Sequence, residues 1–342
     1  MKKIALVVDA ENWAFDIEAK ILKERLKDDF NIDIFVSKKY DDDLFTILEL
    51  VKDYDMIHFF WRKLLLDFES ETFKNHLKEN NYDYNEYLKV CNKISTGIYD
   101  HLFYDDDNID NFRNIFTKYS KMYYTCSKRL ENIYCGLANY PKPWGTIHDT
   151  YDSKLYDGGN KDRVLGSNEY LTIGWIGNSN WNSKMKDFKG FNSVLLPVLD
   201  ELDNEGYKIK RHFADKNIKF RTNEEMPSYY QELDVVVIVS TEEGTPRPVI
   251  EGMASGVPII TTDVGIVPEV FGPLQKEFIL GIRYIENDEQ IKSNLKNKII
   301  ELYNNRNLLN RLKEENYNNA HVNSIDYLYD SYKKYFNDFL EK

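Results

Sequence analysis

The sequence predicts an α/β protein with two doubly wound domains, each built on a parallel sheet. Short runs of Val, Ile and Phe alternate along the chain with longer amphipathic segments, as expected for buried parallel strands connected by helices. The chain has 342 residues, 42% of them hydrophobic, which is too long for one ordinary core and apolar enough for two. Residues 157–169 contain glycines, charges and almost no apolar side chains, so we expect the linker between the domains there.

The first predicted domain covers residues 1–160. Its strands are expected where β-branched and aromatic residues cluster, and its helices where apolar residues recur three or four positions apart. The expected strands are 3–9, 32–37, 56–61, 94–100 and 121–126. The expected helices are 15–26, 44–53, 109–119 and 129–137, the last capped by Ser127, together with a helical polar insertion at 69–92. Alternation with short connections predicts a parallel sheet.

The second predicted domain covers residues 168–323 and shows the same alternation. Its expected strands are 170–176, 207–213, 235–239 and 257–261. Its expected helices are 191–202, 227–233, 246–255, 288–303 and 308–321. A final helix at 324–339 carries many aromatic side chains, which predicts that one of its faces is buried.

One strand–turn–helix unit in the second domain is the most informative part of the chain. After the strand at 235–239, Thr245 is expected to cap a helix whose first residue is Pro246. Glu243 in the turn and Glu251 in the helix place two carboxylates at one end of the unit. Acids at the carboxyl end of a strand, in front of a helix dipole, are typical of a ligand site in a doubly wound sheet.

The segment TEEGTPRPVIEGMASGVPII, residues 241–260, resembles the signature of the retaining glycosyltransferases of family 4, within glycosyl transferases group 1. Glu243 and Glu251 have the E-x7-E spacing of that family. IHDTYDSKLY, residues 147–156, is a looser match, with Thr150 where the family usually has glycine. The resemblance implies the GT-B fold, in which two Rossmann-like domains face each other across a cleft. It also implies that residues 324–342 cross back onto the first domain.

The same resemblance implies roles for individual residues around the donor. Lys189 matches the lysine that contacts the donor diphosphate, and Glu243 would orient the hydroxyls of the donor sugar. Glu251 would bind the ribose hydroxyls, since a carboxylate accepts hydrogen bonds through both oxygens. The other expected donor-binding residues are Gly177, Asn178, Gly244, Thr245 and Arg247.

Two of these positions depart from the family pattern. The loop at Gly177, Asn178 and Ser179 lacks the arginine that the family usually places there. Arg247 is the nearest substitute in sequence, in a helical turn where Pro246 and another proline remove two amide donors. The base is expected near Phe220 or Arg221, and both alternatives stay open.

The first domain contributes fewer expected site residues. His101 follows the strand at 94–100, where family members often place a histidine that contacts the donor sugar. Asn12 and Trp13 follow the first strand and are candidates for the acceptor side. His58 lies inside an apolar strand and is expected in the core.

The function implied by the resemblance is transfer of a sugar, with retention of configuration, from a UDP- or GDP-linked donor to a glycan or lipid-linked glycan. A bacterial surface polysaccharide is the expected product. No cofactor is expected, and a metal is not expected to be essential, because positive residues and a helix dipole stabilise the leaving phosphate in this fold. The aspartate triplets at 41–43 and 105–107 are therefore interpreted as solvated loops.

Charge and composition exclude several other classes. The net charge of −12 without a polybasic run argues against nucleic acid as a partner. Three cysteines without C-x2-C spacing indicate a reduced, cytoplasmic protein. No window approaches the roughly 18 apolar residues of a membrane span. Peripheral contact with the inner face of the membrane stays open, through residues 61–66 or a basic and aromatic cluster near Lys121 and Arg129.

Two alternative functions remain at this stage. Nucleotide-sugar epimerases and phosphorylases also use two facing Rossmann-like domains. LVVDAENWAF, residues 6–15, looks like the first strand of a PIN-like metal-dependent nuclease, with Asp9 as a metal ligand. That second match is one strand long and leaves the signature segment unexplained.

Overall fold

The chain divides into two units, each built around its own parallel sheet. The computed structural model describes residues 1–100, 112–156, 163–166, 168–180, 187–284 and 287–342. Unit 1 comprises Met1–Thr150 and Ile325–Lys342, and unit 2 comprises Tyr151–Ser324. The C-terminal helix therefore belongs to unit 1, as the fold prediction required. Residues 157–162 and 167 of the expected linker lie outside the described residues.

Unit 1 contains a five-stranded parallel sheet with the order β2-β1-β3-β4-β5. The strands are β1 (Lys2–Val8), β2 (Phe30–Val36), β3 (Met56–Phe59), β4 (Ile94–Ile98) and β5 (Met122–Thr125). The helices are α1 (Ala14–Arg25), α2 (Leu44–Val51), α3 (Glu71–Glu79), α4 (Tyr84–Tyr87), α5 (Asn114–Thr117), α6 (Lys128–Gly136) and the C-terminal helix (Ile325–Glu341). Short 3-10 segments cover Ser37–Tyr40, Arg62–Glu69 and Leu88–Lys93.

The C-terminal helix joins unit 1 through one apolar face. Tyr332, Tyr335, Phe336 and Phe339 recur at helical spacing, and each is at most 1% exposed. The Tyr332 hydroxyl also donates to Glu18 Oε1 over 3.0 Å. This face packs into the same core as the five strands.

Glu18 explains the threonine that replaces the family's glycine. Its carboxylate is 2% exposed and accepts hydrogen bonds from the Thr150 amide and the Thr150 hydroxyl, all at 3.0 Å. Burying a carboxylate requires such compensating hydrogen bonds. Thr150 therefore supplies a donor to unit 1 that a glycine cannot supply.

The core of unit 1 also holds a cluster of neutral polar side chains, which we call the histidine–tyrosine cluster. His58 contacts the Ser95 hydroxyl through Nδ1 (2.9 Å) and the Tyr99 hydroxyl through Nε2 (3.0 Å). The Ser95 hydroxyl also shares a 2.6 Å hydrogen bond with the Tyr335 hydroxyl. The Tyr99 hydroxyl shares a 2.5 Å hydrogen bond with the Tyr124 hydroxyl. Burial lowers the pKa of His58 to about 3, so its ring is neutral. The prediction of a core histidine is confirmed.

Three other sequence predictions for unit 1 have clear outcomes. Ser127 caps α6 as expected, because its hydroxyl accepts from the Leu130 amide over 3.1 Å. Residues 61–66 do not offer a lipid-facing loop, since Leu64 and Leu65 are buried in the core. The insertion at 69–92 is helical only in part, through α3, α4 and a 3-10 segment.

Unit 2 contains a four-stranded parallel sheet with the order β7-β6-β8-β9. The strands are β6 (Leu171–Gly177), β7 (Ile209–Asp215), β8 (Val235–Ile238) and β9 (Ile259–Thr261). The helices are α7 (Leu196–Asn204), α8 (Met226–Gln231), α9 (Arg247–Ala254), α10 (Val267–Val270), α11 (Pro273–Lys276), α12 (Asp288–Asn304) and α13 (Arg306–Ala320). A π-helical turn, Phe191–Leu195, precedes α7.

The start of α9 differs from the prediction. The helix begins at Arg247, and Pro246, with no side-chain capping bond, takes the cap position expected for Thr245. The Thr245 hydroxyl is buried and has no hydrogen-bond partner among the described residues. The Thr245 side chain therefore does not cap α9.

Candidate functional site

The candidate site lies at the carboxyl edge of the unit 2 sheet, where the loops that follow β6 and β8 meet. Lys189 Nζ donates to Glu243 Oε1, and the Ser240 hydroxyl donates to the same oxygen over 2.8 Å. The lysine and glutamate side chains are 28% and 18% exposed. The structure thus brings together two residues that the sequence placed 54 positions apart, and both charges remain accessible from solvent.

Glu251 occupies a more enclosed position. It is 4% exposed, and its Oε1 accepts from Arg247 Nε over 2.9 Å while its Oε2 accepts from the Tyr230 hydroxyl over 3.1 Å. Burial and the nearby Glu251 charge raise the pKa of Tyr156. Contact between Glu251 and a ribose therefore requires an exchange of partners at this carboxylate.

Two hydroxyls in the turn that carries Glu243 have no hydrogen-bond partner among the described residues. They are the hydroxyls of Thr241 and Thr245, and both are buried. Gly244 is buried, and its carbonyl accepts from the Ile266 amide over 3.1 Å, which fixes the turn. Buried polar groups in folded proteins are normally hydrogen-bonded, so two unpartnered hydroxyls within two positions of Glu243 make this turn unusual.

A glycine that the sequence interpretation did not single out determines the shape of this turn. Gly265 has φ +48, and a Cβ there would lie 1.7 Å from the Gly244 carbonyl oxygen and 2.8 Å from that of Glu243. No side chain fits in this space. The loop after β9 therefore supports the Glu243 turn through direct backbone contact.

Arg283 is a second residue that the sequence interpretation missed. Its side chain is completely buried and forms a paired contact with Asp288, at 2.6 Å from Nε and 3.0 Å from Nη2. It stands between Ile282 and Tyr284 in a mostly apolar run, but no motif or spacing indicated that its own side chain is buried. Only the fold shows that its guanidinium lies beside the loop that carries Lys189.

Gly177 is the last residue of β6, and the loop that begins at Asn178 is tied to the loop after β7. Asn178 Oδ1 accepts from Asn217 Nδ2 over 2.7 Å, and Asp215 Oδ1 accepts from the amides of Ser179 (3.2 Å) and Asn217 (3.0 Å). Burial would raise the pKa of Asp215, but these hydrogen bonds outweigh it and hold the pKa below its usual value. Asn178 therefore orders the loop in place of the family's arginine and adds no positive charge.

In unit 1, the residues expected on the acceptor side lie just after β1. Asn12 has a left-handed backbone (φ +58), and its amide donates to Asp16 Oδ2 over 2.7 Å. Trp13 precedes α1, with Lys38 Nζ 4.7 Å from its ring centre. Burial raises the pKa of Asp9. His101 lies outside the described residues.

Neither a metal cluster nor a membrane span is present in the part of the chain that the structure describes. Among those residues, no group of three or more His, Cys, Asp or Glu side chains is arranged to hold a metal ion. None of the helices described is both long and apolar enough to cross a membrane.

Comparison with known proteins supports this interpretation. Residues 200–319 match the family model described as Glycosyl transferases group 1. No curated protein matches the chain by sequence. The chain is a glycosyltransferase.

Solved structures with the same fold cover the whole chain. HepE from Anabaena, in complex with UDP-glucose, has a TM-score of 0.65 at 12% identity, over 99% of this chain and 100% of its own. Sucrose-phosphate synthase from Thermosynechococcus elongatus has a TM-score of 0.68 at 12% identity, over 100% of both chains. A glycosyltransferase from Rickettsia africae has a TM-score of 0.65 at 15% identity, over 100% of this chain and 99% of its own. The predicted GT-B fold is confirmed.

These findings also bear on the alternatives. The segment that matches the family model includes Glu243, Glu251 and α9, which the nuclease interpretation left unexplained. An epimerase or a phosphorylase would share the fold, so the fold does not separate them from a transferase. The roles of individual site residues remain predictions.

Proposed function

We propose that this enzyme transfers a sugar, with retention of anomeric configuration, from a nucleoside-diphosphate sugar to a hydroxyl of a glycan or lipid-linked glycan. The observation that carries this proposal is the accessible Lys189–Glu243 pair at the carboxyl edge of the unit 2 sheet. The complexes of HepE, a protein of the same fold, with UDP-glucose and with UDP support UDP as the first donor nucleotide to test. GDP is the alternative.

The proposed chemistry follows from these charges. Lys189 exchanges Glu243 for the donor diphosphate, which frees Glu243 to accept hydrogen bonds from the donor sugar. The bond from the anomeric carbon to the phosphate oxygen breaks, and a bond to the acceptor oxygen forms on the same face. The acceptor proton passes to the departing phosphate. Catalysis then consists mainly of positioning and of charge stabilisation of the leaving group.

Glu251 is assigned to the ribose. Its Oε1 is held by Arg247, so a ribose hydroxyl would replace that contact and release the guanidinium toward the phosphates. This exchange would supply the second positive charge that the loop at Asn178 lacks. No metal is required by the proposal, because Lys189 and Arg247 together balance a diphosphate.

A thermal-shift panel tests the donor assignment. Wild type, Lys189→Met and Glu251→Ala are each heated with UDP, GDP, ADP or CMP, with and without magnesium. A nucleotide at about 100 times its Kd stabilises the native state by about 2.7 kcal/mol. We expect one nucleoside diphosphate to raise the Tm of wild type but of neither variant. Equal shifts in all three proteins would contradict the assigned site.

Product analysis distinguishes the related activities. Transfer predicts an acceptor-dependent product whose anomeric configuration, measured by NMR, matches that of the donor. An inverted product would reject retention. Conversion of the donor sugar without an acceptor would favour an epimerase, and phosphate-dependent cleavage would favour a phosphorylase. A cytoplasmic enzyme with peripheral membrane contact, acting in surface polysaccharide synthesis, remains part of the proposal.

A further inference from the structure

Arg283 is buried in unit 2 with all of its donor nitrogens engaged. The side chain is 0% exposed, and the carboxylate of Asp288 neutralises it at 2.6 and 3.0 Å. A buried guanidinium carries a large desolvation cost, which is offset only when its geometry satisfies every donor. A leucine or methionine of similar size would fill the same core volume without this cost. The arginine must therefore provide something that an apolar residue cannot.

The remaining donors of Arg283 join two loops of the candidate site. Nη1 lies within hydrogen-bond distance of three carbonyl oxygens, those of Asp187 (3.0 Å), Phe188 (3.2 Å) and Val239 (2.9 Å). Asp187 and Phe188 directly precede Lys189, and Val239 follows the last residue of β8, four positions before Glu243. One nitrogen thus binds both the loop that carries Lys189 and the strand end that leads to Glu243.

Neighbouring contacts show that this junction is built around the guanidinium. Nη2 donates to the Ser193 hydroxyl over 3.0 Å, within the π-helical turn. Gly190 has φ +66, and a Cβ there would lie 2.9 Å from Arg283 Nη1 and 2.4 Å from the Val239 carbonyl oxygen. The Thr241 amide donates to the Phe188 carbonyl over 2.9 Å, which is a second link between the loops. The space between these two loops is therefore filled by the planar guanidinium of Arg283.

We propose that Arg283 is a positioning residue for donor binding, which holds the backbone that carries Lys189 against the strand end that leads to Glu243. It acts through the backbone of residues 187–190 and does not touch the ligand itself. This inference rests on the proposed function, in which Lys189 contacts the diphosphate. Arginine is needed because lysine lacks the planar fork that can bind Asp288, Ser193 and the carbonyl oxygens together.

The test is a double-mutant cycle read out by nucleotide affinity. The Kd of UDP and of UMP is measured by calorimetry for wild type, Arg283→Lys, Lys189→Met and the double variant. We expect Arg283→Lys to weaken UDP by about tenfold, comparable to the loss of a charged hydrogen bond, with a smaller effect on UMP. In the Lys189→Met background, Arg283→Lys should cost no further UDP affinity.

Additional variants guard against a simple folding defect. Ser193→Ala removes one of the two Nη2 partners and should weaken UDP by about two- to threefold, less than Arg283→Lys, because Asp288 still holds Nη2. Arg211, which pairs with Asp200 and Asp203 away from the site, provides the control, and Arg211→Lys should leave both Kd values unchanged. Circular dichroism melts establish that each variant is folded before its Kd is compared.

The outcomes separate this inference from the proposed function. If Arg283→Lys weakens UDP equally with and without Lys189, or weakens UMP as strongly as UDP, the positioning role is wrong while the donor site stands. If wild type binds no nucleoside diphosphate, both the proposed function and this inference are overturned. A UDP-selective loss that disappears without Lys189 establishes the positioning role.

Discussion

The two units hold polar clusters of opposite character. In unit 1, the histidine–tyrosine cluster is neutral and buried, and its members satisfy one another's hydrogen bonds. In unit 2, the Lys189–Glu243 pair is charged and partly exposed, with two unpartnered hydroxyls nearby among the described residues. The first arrangement leaves nothing for a ligand to bind, whereas the second leaves both charge and donors. A closed polar network therefore indicates stability, and an open one indicates a binding site.

Removing Lys189 from the Lys189–Glu243 pair is expected to have the largest effect on activity. Lys189→Met should lower kcat/KM by about 10²- to 10³-fold, the range seen when a group that stabilises developing charge is lost. Lys210, an exposed lysine of β7, gives the matched control, and Lys210→Met should retain activity. Steady-state assays with a UDP-sugar donor compare the two. Equal activity in both variants would mean that the Lys189–Glu243 pair is not part of the donor site.

Distorting the turn at Glu243 and Gly244 is expected to have a smaller effect on stability and donor binding. Gly265→Ala forces a Cβ against the Gly244 carbonyl oxygen, and should destabilise the protein by about 1–3 kcal/mol while weakening donor binding. Gly206 also has a positive φ, but a Cβ there would meet no atom within 4 Å. Gly206→Ala therefore measures only the free-energy cost of placing alanine at a positive φ, without a steric clash. Urea unfolding should show the larger loss for Gly265→Ala, and identical losses would exclude the contact.

Because of His58, the histidine–tyrosine cluster should make the free energy of unfolding depend on pH. The pKa of His58 is about 3 in the native state and about 6.5 unfolded, so between these values only the unfolded chain binds the proton. The free energy of unfolding should fall as pH falls, by about 2 kcal/mol between pH 6.5 and 5 from this residue. Urea melts across this range, with His58→Gln beside wild type, measure the difference. An unchanged slope in the variant would show that His58 is not the titrating group.

The smallest expected effect concerns Tyr230. Tyr230→Phe removes a 3.1 Å hydrogen bond to Glu251 and should change nucleotide affinity by about 1 kcal/mol. Tyr229→Phe is the control, since its hydroxyl donates to the carbonyls of Trp175 and His212 and not to Glu251. Calorimetric titration with UDP distinguishes them. If both variants lose the same affinity, the contact with Glu251 carries no special role.

The sequence was sufficient for the architecture and for part of the site. Apolar strand runs and the E-x7-E segment predicted the two parallel sheets and the turn at Glu243. Lys189 was predicted separately, because its position just before Gly190 matches a lysine of the family, and its role stays a prediction. These features are local, and local patterns can be read without coordinates.

The remaining features depend on contacts that are distant in sequence. Arg283 is defined by carbonyl oxygens almost a hundred residues away, and Gly265 by the close approach of another loop. The cap of α9 was assigned to Thr245 because threonine is a common capping residue, but the chain enters the helix through Pro246. Tertiary contacts leave no periodic signal in the sequence, and neither does the use of a proline as the cap residue of a helix.

The two ends of unit 2 have a consequence for protein engineering. The Tyr151 amide donates to the Asn323 carbonyl oxygen over 3.1 Å, and Tyr151 also bridges to Ser324, so both ends of unit 2 meet at one point. Unit 2 is thus an insertion in the sequence of unit 1, with adjacent entry and exit. Adjacent termini favour the exchange of whole domains. Chimeras joined at residues 151 and 324 can therefore exchange unit 2 as a whole while unit 1 is kept.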